Sequence, residues 1–322
     1  MIGDSRSWSL AAGSSAVLVG YFWVNPLRPE HLAVLGLLLG LLLASRTTRI
    51  LGVTLIPAAI FGLIYDMLHL FQARSYRAVV IEPVWQLEAW LFGWIGRESF
   101  PLGPVDVFRE HNWAAVDAFG GVIYSIHLVP AFAFGLGLWW LAYRRGDVRE
   151  GRRLSLFWWG FLALNLLAFC VHVLMPVAPP WYVLEHGFVR PSEAIMGNPA
   201  GLARVDALLG CGHFEGVYDR AAYDFGALPS LHVGVPAWVA LRTEGKWRAI
   251  GMWLFTGVMA FYAVYFAHHY IVDLVAGAAF AGLVHVAIER TRLGDVVLAV
   301  DNRLHGILGG WDVRADDQVG AS

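Results

Sequence analysis

His269 and Asp273 stand four residues apart, so on a helix their side chains share a face and can touch. An aspartate that accepts a hydrogen bond from one imidazole nitrogen leaves the other nitrogen free, oriented and more basic. A nucleophilic or general-base histidine needs that arrangement. A second run, Gly226-Ala227-Leu228-Pro229-Ser230-Leu231-His232, ends on another histidine. Pro229 suits a first helical turn, where its missing N–H costs nothing. The N–H groups of Ser230, Leu231 and His232 would then form the positive end of a helix, a natural holder for phosphate oxygens, with His232 beside it.

These residues need elements to position them, and the composition says which. The 322-residue chain is 58% hydrophobic and only 15% charged, with a mean hydropathy of +0.57. That is too apolar for an ordinary soluble domain. Net charge is close to zero, so nothing points to nucleic acid. Two cysteines, Cys170 and Cys211, make no disulfide framework. A bilayer core of about 30 Å takes about 20 apolar residues per helix. Candidate spans fall near 8–24, 31–44, 50–69, 118–142, 154–177, 229–242, 249–267 and 270–290. The expected fold is an all-α polytopic bundle of about eight spans: a membrane domain over 1–292 and a cytoplasmic tail over 293–322. Val84–Ile95, with Trp85, Leu87, Trp90, Leu91 and Trp94 among Gln86 and Glu88, reads as an interfacial helix.

Basic residues set the expected orientation. Arg46 and Arg49, then Arg144 to Arg153, then Arg242, Lys246 and Arg248 occupy three alternate short loops. If all three are cytoplasmic, both termini are too, and His232 and His269 share the opposite, extracytoplasmic face. An aspartate one turn into an apolar span is expensive unless it works or is paired, which marks Asp273 a second time. Asp66, His69, His127, Asn165 and His172 also lie inside spans, and each reads first as a helix–helix hydrogen-bonding group.

Pro229-Ser230-Leu231-His232 followed by His269-Tyr270-Ile271-Val272-Asp273 resembles the paired motifs of the type 2 phosphatidic acid phosphatase superfamily. The doubled His268-His269-Tyr270 and Ala178-Pro179-Pro180-Trp181-Tyr182 bring it nearest to the fungal inositol phosphorylceramide synthase branch. The likeness covers roughly residues 100–290, and it implies a six-helix core. It also implies His269 as nucleophile, Asp273 as its orienting partner and His232 as general acid–base. Ser230, Arg204, His268 and Tyr182 are the candidate substrate and phosphate contacts. Phosphatase members carry an arginine six residues before the nucleophile, where this chain has Ala263. Arg204 is the first replacement to consider, with Arg190 and Arg109 behind it.

The activity that the resemblance implies is transfer of a phospho-head group, phosphoinositol in that branch, from a phospholipid to a lipid alcohol. A lipid phosphate phosphatase shares the nucleophile and is the alternative enzyme. A lipid transporter or silent scaffold is the alternative of another class. Membrane lipids are the expected partners. No metal or cofactor is expected, since no group of carboxylates has metal-ligand spacing and the multi-aspartate signature of enzymes using cytidine-diphosphate lipids is absent.

Overall fold

A computed structural model describes residues 20–23, 25, 29–95, 103–145, 148–191 and 197–308. Among them every regular element is helical. The N-terminal helices are α1 (Pro29–Ala44), α2 (Arg46–Thr54), α3 (Ile56–Met67), α4 (Gln72–Ala78) and α5 (Glu82–Phe92). Next come α6 (Pro104–Glu110), α7 (Ala114–Ser125), α8 (Val129–Arg145) and α9 (Val148–Leu174). Three short helices follow: α10 (Pro180–His186), α11 (Ala203–Leu209) and α12 (His213–Tyr218). The last four are α13 (Leu231–Arg242), α14 (Lys246–Tyr265), α15 (Ile271–Arg290) and α16 (Leu293–Leu308).

Among the described residues four stretches are long and apolar enough to cross a bilayer: Ile56–Ala78, Arg149–Leu174, Lys246–Tyr265 and Ile271–Arg290. A fifth arises if α7 and α8, bent by 44°, count as one. The protein is therefore a polytopic helical membrane protein. The span expected at 8–24 lies outside the described residues except for its last turn.

One expectation needs correction. The single span over 118–142 is two helices, because Pro130 cannot continue a helix arriving from Ile126. The break at Ile126–Leu128 brings the half-buried His127 against His232. The segment 293–308, expected within a tail, is a helix packed on α9. Its buried Asp301 accepts from Trp159 Nε1 at 2.8 Å and from Ser155 Oγ. Cys170 and Cys211 are both free.

The bundle is organised around α13, whose residues Val233–Ala240 are all buried. Twelve residues at about 1.5 Å each give about 18 Å, short of a bilayer core. Its neighbours α14 and α15 are each 20 residues long. One apolar cluster, including Phe157, Trp158, Phe161 and Trp238, fills one half of the molecule. A second, including Tyr124, Tyr262, Phe266 and Tyr270, surrounds the end where α13 and α15 begin. At the other end of α13 Arg242 pairs with Glu289, and Arg149 pairs with Glu244.

Candidate active site

The approach to α13 is held by short backbone stitches. Val177 N donates to Phe225 O at 2.8 Å and Ala178 N to Val80 O at 3.0 Å. These fix the extended chain through Ala227, which then turns into α13. Pro229 does not sit in the first helical turn, as the sequence suggested. Ser230 is the N-cap and Leu231 opens the helix. Ser230 N is not free either, since it donates to the backbone carbonyl of Asp273 at 2.9 Å. The unpaired first-turn donors therefore start at Leu231. Ser230 Oγ is fully buried and makes no hydrogen bond among the described residues.

The turn between α14 and α15 carries the other half of the site. His269 Nδ1 lies 2.9 Å from Ala227 O and 3.5 Å from Asp273 Oδ2. A carbonyl only accepts, so Nδ1 carries the proton and Nε2 presents its lone pair. That lone pair faces His232 Nδ1 at 3.2 Å. Asp273 Oδ2 also accepts from Tyr270 N at 2.9 Å, while Oδ1 makes no hydrogen bond among the described residues. His232, His269 and Asp273, expected together from the sequence, are one contiguous cluster. It can present a tautomerically fixed nucleophilic nitrogen beside a second imidazole able to exchange a proton.

Aromatic rings wall this pair. Tyr218, His268, Tyr124 and His232 form a column of stacked rings, with successive centroids 4.7, 5.3 and 4.2 Å apart. Tyr124 also sets its hydroxyl 3.3 Å from His232 Nδ1. The His127 ring, delivered by the helix break, lies 4.5 Å from that of His232. His172 braces Pro229 O through Nε2 at 3.1 Å. Tyr124 had no signal in the sequence. His127 and His172 were visible only as polar residues in apolar runs.

The remaining candidate contacts fall in different places. His268 Nε2 lies 3.1 Å from Pro199 O and so donates to it. Burial, then the neighbouring His269, pulls its pKa down to about 3, so it is a neutral ring and not a cation for phosphate. Tyr182 is buried and donates to Val189 O at 2.7 Å, in a separate cluster with Trp181 and Phe225. Arg109 and Arg190 are exposed. Arg204 grips buried Asp117 through Nε at 3.0 Å and Nη2 at 2.8 Å, and its guanidinium lies over Tyr265. Arg204→Ala would leave Asp117 buried and unpaired. We expect it to cost about 3 kcal/mol, read as a lower unfolding midpoint in detergent. An unchanged midpoint with weakened substrate binding would instead return Arg204 to the phosphate.

Comparison with known sequences now bears on this geometry. A family model described as the PAP2 superfamily matches residues 83–287, which include every member of the histidine cluster. The chain belongs to the PAP2 superfamily. The phosphoinositol dihydroceramide synthase of Bacteroides thetaiotaomicron is 35% identical over 257 residues, covering 78% of this chain and 81% of that protein. The inositol phosphorylceramide synthase of Candida albicans is 35% identical over 132 residues, 39% of this chain and 27% of that one. The catalytic subunit from Saccharomyces cerevisiae is 32% identical over 137 residues, 40% and 33% of the two chains. No solved structure matches. Within the PAP2 superfamily, then, this chain is similar to lipid phosphotransferases, as its motifs suggested.

Proposed function

We propose that this protein transfers phosphoinositol from phosphatidylinositol to the hydroxyl of a ceramide-type lipid through a phosphohistidine on His269. One observation carries the reading: His269 Nε2 faces His232 at 3.2 Å while Nδ1 is tied to Ala227 O. Head group and acceptor follow from what the relatives are named to make.

His269 Nε2 attacks phosphorus, forming an N–P bond as the bond to the diacylglycerol oxygen breaks. His232 gives a proton to that departing oxygen. Asp273 balances the positive charge that spreads over the imidazole. In the second half His232 takes the proton of the acceptor hydroxyl, whose oxygen attacks phosphorus and breaks the N–P bond. A phosphorus atom must approach Nε2 to about 3–3.5 Å, so the His232 ring moves off its present contact when donor binds. Ser230 Oγ and the first-turn N–H groups of α13 are the neutral donors that receive the phosphate oxygens. The active site faces away from the basic loops, hence extracytoplasmically, with the termini in the cytoplasm.

Purified protein in chelator, given phosphatidylinositol with and without a ceramide, tests the reading by lipid mass spectrometry. Phosphoinositol ceramide that forms only with both lipids is the expected product. Free phosphate from phosphatidic acid without any transfer would establish the phosphatase instead.

A further inference from the structure

Glu88 is fully buried although it lies on α5, a helix that also exposes Leu87, Trp90 and Leu91. Its carboxylate does not stay on its own element. Oε1 accepts from Ile271 N at 2.9 Å and Oε2 from Val272 N at 3.2 Å. These are orphan donors of the first turn of α15, the helix that carries Asp273 and follows directly on His269. The N-cap residue Tyr270 makes no side-chain cap to them, so a residue 183 positions away in sequence supplies it.

We propose that Glu88 is a positioning residue of the transfer reaction: its carboxylate clamps Ile271 and Val272 and thereby keeps Asp273 on His269. The inference rests on the histidine mechanism above for its catalytic consequence, though not for the clamp itself. Without Glu88, two part-buried donors lose their acceptor. The carboxylate nearest in sequence is Asp273, whose Oδ1 makes no hydrogen bond among the described residues. Turning to serve those donors would draw Asp273 from His269 Nδ1, so the loss reaches the nucleophile as well as the fold.

The clamp also titrates. Burial pushes the Glu88 pKa up to about 7, against the lowering effect of its two N–H bonds, and the charge of Asp273 adds to the rise. Asp273 and Tyr270, both at the start of α15, are the ionisable groups facing it. The ionised form fills both donors, whereas the protonated form turns an O–H toward one of them. Clamping therefore strengthens as pH rises through about 7. Glutamine mimics the protonated form at every pH.

Full-length wild-type, Glu88→Gln and Glu88→Ala proteins in mixed phospholipid vesicles carry the test, with phosphatidylinositol and ceramide as substrates. Glu88→Gln is expected to lower kcat about tenfold and Glu88→Ala about a hundredfold, with KM little changed. The rise of kcat through neutral pH should flatten in Glu88→Gln. An unaltered kcat, or a wild-type pH profile in Glu88→Gln, would overturn the proposal. Hydrogen exchange over residues 268–276 needs no substrate and separates the clamp from the mechanism. It should accelerate in Glu88→Ala, and equal exchange would overturn the clamp whatever the enzyme acts on. Where Glu88→Ala does not fold, Glu88→Gln takes its place, since the amide keeps the volume and one acceptor.

Discussion

His269→Ala is expected to abolish head-group transfer, by about four orders of magnitude or more, while Asp273→Asn keeps a measurable rate. The difference follows from how the imidazole is held. Ala227 O lies 2.9 Å from Nδ1, and Asp273 Oδ2 lies 3.5 Å away. The backbone carbonyl alone fixes the tautomer that leaves Nε2 free, and Asp273→Asn does not touch it. The substitution removes a negative charge, so it withdraws stabilisation of the charged imidazole but leaves the attacking atom in place. A loss of about 10²–10³ in kcat is the scale expected for one such electrostatic contact. Removing the proposed nucleophile eliminates the proposed covalent route itself, and residues acting as one unit then lose nearly everything together. Single-turnover release of diacylglycerol, with trapping of the base-stable, acid-labile phosphohistidine, checks both. If Asp273→Asn were as inactive as His269→Ala, the aspartate rather than the carbonyl would be setting the tautomer.

The sequence was legible where local spacing carries the information. The four-position spacing of His269 and Asp273 put them in reach, and the bias of basic loops set them at the end of the bundle that also holds His232. It was not legible where a contact joins distant elements. Asp117 and Arg204 are 87 residues apart, so Arg204 looked like a free cation and is a paired one. Glu88 looked like the polar face of an interfacial helix and is a cap on α15. Tyr124 is an ordinary aromatic in an apolar run until the break before Pro130 and the stack with His232 give it a place. Helix length follows the same logic. A helix surrounded by other helices, as α13 is, need not match the bilayer thickness by itself.

That short helix lends Gly277 an effect far larger than its size. A Cβ on Gly277 would lie 2.1 Å from Ser230 O and 3.3 Å from Gly234 N. Both obstacles are backbone, so no side chain can rotate aside, and the only relief is for α13 and α15 to separate. Small residues permit such close approach between membrane helices, and their interfaces resist enlargement. The separation falls where Ser230 N meets the Asp273 carbonyl at 2.9 Å, within the turn that positions His232 against His269. Movement of about 1 Å there is enough to cost about a hundredfold in rate. Gly277→Ala is therefore expected to lose at least that much activity and to unfold at lower temperature. Gly282 lies on the same helix with nothing within 4 Å of its Cβ position, so Gly282→Ala should behave as wild type in both assays. Equal behaviour of the two variants would mean that α13 and α15 can part without disturbing the histidines, and the close packing would then not be what aligns them.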